Sequence, residues 1–403
     1  MRIAILSDIH AFAAEPDAVP TPESESDPSW VRTIPDKQDE RRAPFQALQS
    51  LIAKDGLTAD YVFCLGDMGD KADAAGIGYA WSWVDVLAKR LSAQRVLATT
   101  GNHDVDAYGI TRPRLPTDVL RALQPPFPID DAPLRDKYWD DHVTRLDEAG
   151  ASFLILNSCA EHESREQAER GRLKPETLDL ARDLMSSAPG PLKLLLLHHH
   201  PYAHDAIARS DYSAMEAGTE LLAACEGAGD WLVVHGHRHY PTITYSGKTQ
   251  QGPVILGAGS FSASLYRELQ GRVRNQFIIM DVGEPGLIQG TSGVTGRISA
   301  WEYHWQVGWS EPSSSEGIPD QSGFGYRGSL AESLSRITQI VLAADGVPIT
   351  WAEALLAVPE FAFMTPEFRQ MVLSELDRDP RFVVRPRRHY AASPDEVTLW
   401  ERP

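Results

Sequence analysis

Short apolar runs recur along the first two thirds of the chain, and each stops at a polar cluster. "RIAIL" leads to "SDIH", "YVFCL" to "GDMGD", "RVLATT" to "GNHD", "LKLLLL" to "HHHP" and "WLVV" to "HGHRH". Runs of this length bounded by Gly, Asp or Pro predict buried strands. The segments 44–54, 74–91, 175–186 and 213–226 between them have helical spacing. Strand alternating with helix predicts an α/β fold. In such sheets ligands gather beyond the carboxyl ends of the strands, where every polar cluster falls.

Two stretches interrupt the pattern. Residues 13–43 hold five prolines and eight acidic residues, and predict an exposed insertion. Residues 111–148 predict a second, with "KYWDDHVTRL" helical. Further strands are expected at "PVILGAGSF", "RNQFIIMDV" and "RISAWEYHW", the last placing Trp301, Trp305 and Trp309 in packing roles. The composition of 310–325 reads as a linker.

From 326 to 403 the pattern changes to three helices ("LAESLSRITQIVLAAD", "TWAEALLAV", "TPEFRQMVLSELDRD") and two strands ("RFVVRP", "EVTLWE"). Thr365 is the expected N-cap of the third helix, with Pro366 at its first position. This order predicts a winged-helix-like module. It carries nine arginines against eleven Asp and Glu, and its third helix is not basic. That weakens DNA binding relative to a protein contact, although "RPRRH" leaves nucleic acid open.

Composition narrows the class. The chain has 403 residues, with 42% hydrophobic and 23% charged positions, as in a globular protein with one large and one smaller domain. The formal charge of −18 opposes nucleic acid and anionic membranes and suits a holder of multivalent cations. Cys64, Cys159 and Cys225 are far apart, which argues against a disulfide framework or a zinc ribbon. Neither a signal peptide nor a membrane-length apolar run is expected, so the expected location is the cytoplasm.

The clusters supply candidate ligands: Asp8 and His10, Asp67, Asn102 with His103, one histidine of "HHHP", and His237 with His239. Asp8 and His10, and likewise His237 and His239, share a face if their segments are extended. A lone histidine is usually structural, but eight of the thirteen lie in these motifs, each after a strand pattern. Oxygen and imidazole donors without thiolate suit Mn, Fe, Zn or Co. The set exceeds the needs of one ion. Two ions sharing a carboxylate would use it fully, and would equip the site for phosphoester hydrolysis.

The ordered series "DIH", "GDMGD", "GNHD", "HHHP", "GHRH" resembles the calcineurin-like metallophosphoesterases over about residues 1–282. The resemblance implies a core of two facing sheets flanked by helices, an αββα sandwich, spanning 1–309. It implies two divalent ions, with Mn or an Fe/Mn pair favoured. Asp8, His10 and His239 would hold one ion, Asn102, His199 and His237 the other, and Asp67 would bridge. His199 is chosen as the histidine two residues before the proline; His200 would contact substrate along with Asn102 and His103. His103 would serve as electrophile or general acid and Asp104 would orient it. Asp70 stands where the purple acid phosphatases have tyrosine, so an Fe(III)–tyrosinate pair is not expected. The expected activity is hydrolysis of phosphodiesters by a metal-held hydroxide. A nuclease that grips DNA through the C-terminal module, and a metal-bound scaffold recruiting a protein partner, are the other readings.

Overall fold

The structure is a computed structural model. It describes residues 1–13, 27–33, 40–105, 117–161, 165–203, 213–247, 250–283, 291–386, 390 and 392–402. Three strands open the chain, β1 (Arg2–Leu6), β2 (Tyr61–Cys64) and β3 (Arg95–Ala98), and they pair in parallel. Next come β4 (Val143–Glu148), β5 (Ala151–Leu156), β6 (Leu192–Leu196), β7 (Leu232–His235), β8 (Thr242–Tyr245) and β9 (Val254–Gly257). These six form one sheet in the order β4-β5-β6-β7-β9-β8. The strands β10 (Gln276–Gly283), β11 (Thr291–His304) and β12 (Gly308–Ser310) return to the first sheet, whose order is β12-β11-β10-β1-β2-β3. A further strand, β13 (Ser322–Tyr326), pairs with β11.

The two sheets stack. Tyr61 and Phe63, two apart on one face of β2, put their rings 4.8 and 6.0 Å from that of Phe153 on β5. The alternation of β6 separates two cores. Leu194 and Leu196 join the layer between the sheets, while Leu195 and Leu197 pack under two helices. Those are α6 (Pro175–Ser186) and α7 (Gly218–Gly227), numbered after α1 (Pro44–Asp55), α2 (Ala74–Arg90), α3 (Asp118–Arg121), α4 (Ala132–Asp141) and α5 (Arg165–Arg170). The apolar faces of α1 and α2 cover the first sheet through residues such as Leu48, Ile77 and Val84. The result is a mixed α/β core of four layers. Gly56, in left-handed backbone, ends α1, and the Asp73 carboxylate caps α2.

Past β13 a second core forms around Ile337, Trp351, Phe361, Val372 and Leu399. It is built by α8 (Leu330–Ala343), α9 (Trp351–Ala357) and α10 (Pro366–Arg378), with β14 (Ile349–Thr350), β15 (Phe382–Arg385) and β16 (Thr398–Glu401). The three strands are antiparallel in the order β14-β16-β15. Thr365 caps α10, its hydroxyl accepting from Phe368 N–H at 3.3 Å. Among the described residues, no helix is long and apolar enough to cross a membrane.

Four expectations need correction. Val143–Leu146, expected in a helix, lie in β4. His142 adopts left-handed backbone and ends α4, and the turn at Ala149 and Gly150, both with positive φ, folds β4 onto β5. The stretch 310–325 is not a free linker: Ile318 is buried and Ser322 starts β13. Within the expected exposed loop, Ser29, Val31 and Arg32 are buried, and Ser29 pairs with Ala263; 14–26 and 34–39 lie outside the described residues. Lastly, α7 begins at Gly218, five residues late, after Ala217 at φ 64°.

Candidate metal centre

Five strand exits converge at one edge of the stacked sheets. Asp8 and His10 follow β1, Asp67 and Asp70 follow β2, Asn102 to Asp104 follow β3, His198 to His200 follow β6, and His237 and His239 follow β7. Their backbone is not extended. Asp8, His10, Asp67, His237 and His239 all have φ between 51° and 75°, a left-handed conformation costly for such residues. The side chains therefore reach the centre from successive tight turns rather than from the pleat of a strand. The exits of β2 and β3 abut so closely that a Cβ on Gly66 would lie 2.4 Å from Gly101 N. One on Gly101 would lie 2.0 Å from Asp67 N.

The donors form three groups, each with one ligand atom per residue within 4.8 Å of the others: Asp8, His10 and His239; Asp67, His198 and His237; and His10, Asp70 and His103. Hydrogen bonding fixes what the second group presents. His198 Nδ1 is 2.7 Å from the Leu65 carbonyl, so it carries a proton. On a neutral ring Nε2 then holds a lone pair, and it faces Asn102 Oδ1 at 2.9 Å and Asp67 Oδ2 at 3.3 Å. His237 repeats the pattern. Its Nε2 is 2.9 Å from the Glu169 carbonyl, and its Nδ1 is 2.9 Å from the same Asn102 Oδ1. Two imidazole lone pairs, an amide oxygen and a carboxylate thus point at one another. Such a cluster of acceptors is stable only around a proton or a cation. In the first group, Nδ1 of His239 is buried without a hydrogen-bond partner, and Nε2 of His10 faces the Asp67 carboxylate at 3.4 Å.

The electrostatics agree. Burial opposes charge on His198 and His10, yet the Asp67 carboxylate holds them near 9 and 10. Burial would raise Asp67, but His198 and His103 pull it well below the carboxylate range. His237 is held far below the usual histidine value by burial and then by the His199 charge, so its ring stays neutral. The residues present fit divalent cations with mixed nitrogen and oxygen ligands.

A family model described as calcineurin-like phosphoesterase matches residues 1–241, the segment that carries all five strand exits. The chain belongs to the calcineurin-like phosphoesterase family. The family is metal-dependent, and the clustered nitrogen and oxygen donors are in keeping with it. Among solved structures it is similar to the purple acid phosphatase PPD1 of yellow lupin, with 15% identity, 75% of this chain and 51% of that one covered, and a TM-score of 0.46. It spans about half the length of that enzyme. A structure of PhoD matches with 11% identity, 78% and 72% coverage and a TM-score of 0.40. A metallophosphoesterase from Sphaerobacter thermophilus matches with 16% identity, 69% and 82% coverage and a TM-score of 0.27. No curated protein matches.

Of the expected residues, the phosphoesterase gathers Asp8, His10, Asp67, Asn102, His103, His237 and His239 at one place. Three expectations differ. His198, not His199, faces Asp67 and Asn102. The His199 ring, though 4.5 Å from that of His237, has Nδ1 at 2.9 Å from Ser158 Oγ and Nε2 at 3.0 Å from the Ala168 carbonyl. Asp104 does not orient His103. Its carboxylate accepts the backbone N–H groups of Met68, Gly69 and Gly101 and so ties the β2 and β3 exits together. Burial raises its pKa to about 6. Asp70 takes the orienting position instead, with Oδ1 3.1 Å from His103 Nδ1 and 3.5 Å from His10 Nδ1. Finally, His200 is fully buried with its ring stacked on His237, so it does not line an opening. His103 does: its side chain is 22% exposed, against 7% for His10 and none for His198.

The insertion that precedes β4 also serves the site. Tyr138 on α4 is buried, and its hydroxyl accepts the Thr100 N–H at 2.9 Å, supporting the exit that carries Asn102.

Proposed function

We propose that the protein hydrolyses phosphate esters, phosphodiesters foremost, at a centre of two divalent cations. The observation that carries this reading is the meeting of His198 Nε2, His237 Nδ1, Asn102 Oδ1 and Asp67 Oδ2, four atoms that can each offer a lone pair to a cation. In this reading Asp8, His10 and His239 hold one cation, Asn102, His198 and His237 the other, and Asp67 lies between. Nitrogen and oxygen donors favour Mn, Fe, Zn or Co, with Mn or an Fe/Mn pair preferred. Such cations, when bound, neutralise phosphoryl oxygens and make a coordinated water more acidic.

The protein's own groups do the rest. Burial of the donors excludes bulk water from around them. His103 is the open imidazole beside the cluster, and Asp70 holds its Nδ1, so a proton on its Nε2 can pass to the departing alcohol oxygen. A diester carries one negative charge where a monoester approaches two. On a chain of net charge −18 the diester meets less repulsion outside the centre.

The helix-and-strand order of residues 326–403, with the sheet order β14-β16-β15, supports a winged-helix-like reading of the C-terminal module. The nuclease alternative is disfavoured. The start of α10, where a base-reading helix would act, lines a cavity of about 520 Å³ shared with Tyr245, Gln250 and Gln251 of the phosphoesterase core. Its Glu367, Met371 and Glu375 are not phosphate-binding groups. Three buried, unpaired cysteines support a reducing, cytoplasmic location.

Turnover of bis-p-nitrophenyl phosphate by the Mn²⁺-loaded protein tests the reading. Activity that is lost in Asn102→Ala is expected. Metal binding without turnover of any mono- or diester would instead make the protein a metal-holding scaffold.

A further inference from the structure

One large apolar side chain stands exposed beside the cluster. Tyr266 is 46% accessible, yet its ring lies on that of His239 with centroids 5.1 Å apart and planes 10° from parallel. One face of the ring is therefore covered by a side chain of the centre, and the exposure belongs to the rest of it.

The segment that carries Tyr266 is held firmly. Ser264 N–H donates to the Pro28 carbonyl at 2.8 Å, and Ala263 N–H donates to Ser260 Oγ at 2.7 Å. Asn275 Nδ2 donates to the Ala263 carbonyl at 2.9 Å, and Gln270 N–H closes the turn on the Tyr266 carbonyl at 3.1 Å. A fixed aromatic face next to a phosphoryl-binding centre is a surface for a flat group attached to that phosphate.

We propose that Tyr266 touches substrate and selects phosphoesters bearing a planar aromatic group, aryl or nucleobase, which stacks on its ring while the phosphoryl group occupies the centre. This rests on the phosphoesterase reading given above.

The test is direct binding to the Mn²⁺-loaded full-length protein by calorimetry, with phenylphosphonate and methylphosphonate as probes. The two share the anion and differ only in the flat ring. The wild type should bind the phenyl compound about tenfold more tightly. Tyr266→Phe should keep that ratio. Tyr266→Ala should bring it to about one by weakening the phenyl compound alone, which also shows that the variant is folded and its centre intact. A wild-type ratio near one, a ratio unchanged in Tyr266→Ala, or equal weakening of both probes would overturn the proposal. Equal weakening would make Tyr266 a support for His239. Turnover of bis-p-nitrophenyl phosphate is measured separately. Its absence alongside an intact binding ratio would count against the hydrolytic reading and leave the contact standing.

Discussion

Asn102 Oδ1 lies 2.9 Å from both His198 Nε2 and His237 Nδ1, and the far nitrogens of those rings are held by the carbonyls of Leu65 and Glu169. Which histidine of a run acts is decided by such partners, and they come from other elements. A rule that counts back from the proline selects His199, but the Ser158 hydroxyl and the Ala168 carbonyl occupy that ring. Neither partner was legible in the histidine run itself. His198→Ala should reduce bound metal from two ions per chain to one and lower turnover by at least about a hundredfold. His199→Ala should keep two, and elemental analysis of the purified variants distinguishes the cases. Asp104 misled for a similar reason: it follows His103 in sequence, but its carboxylate turns back to three backbone N–H groups. Asp70, three residues beyond Asp67, meets His103 only through the fold. Asp70→Asn should slow the hydrolysis of alkyl esters about 10–100-fold. It should slow p-nitrophenyl esters much less, because that leaving group departs without a proton. Equal losses on both would show that Asp70 does not act through His103.

At the scale of elements, the buried strands and the ends at which ligands collect were legible, because an unbroken apolar run followed by Gly or Asp has few other uses. The hairpin of β4 and β5 was not. "KYWDDHVTRL" carries apolar residues at helical intervals, and only the left-handed turn at His142 separates helix from strand. The abutment of Gly66 and Gly101 makes a sharp prediction. Gly101→Ala should lower stability by about 1–3 kcal/mol and reduce metal content, as followed by thermal melting and elemental analysis, since a Cβ would fall 2.2 Å from Asp67 Oδ1. Beside the exit of β7, Glu316 accepts two hydrogen bonds from Arg272, at 2.9 and 2.7 Å, and one from the Tyr240 hydroxyl. The Arg272 bonds, chiefly, hold the Glu316 pKa below its usual 4.5. A depressed carboxylate pKa stabilises the fold above the unfolded-state value, and that contribution disappears as pH falls through the folded-state value. Glu316→Gln should therefore cost less than about 1 kcal/mol at pH 7, the pair being a third exposed, and the gap to wild type should close in acid. A gap that widens in acid would contradict the assignment.

At the scale of the molecule, the segment expected to be a linker joins the two parts instead. β13 pairs with β11, and Tyr326 at its end belongs to the second core. Composition suggested a linker because Ser, Pro and Gly dominate 310–325, yet Gly323 is there to let Ala362 O approach, which a Cβ would meet at 2.0 Å. With the start of α10 facing the core, the whole chain should show no salt-sensitive retention on DNA. Retention abolished by modest salt would revive the nuclease reading. The most direct test of the two-cation centre is anomalous diffraction from crystals grown with Mn²⁺. The account predicts two peaks, one among Asp8, His10 and His239, the other among Asn102, His198 and His237, with Asp67 between them. A single peak, or none, would contradict it.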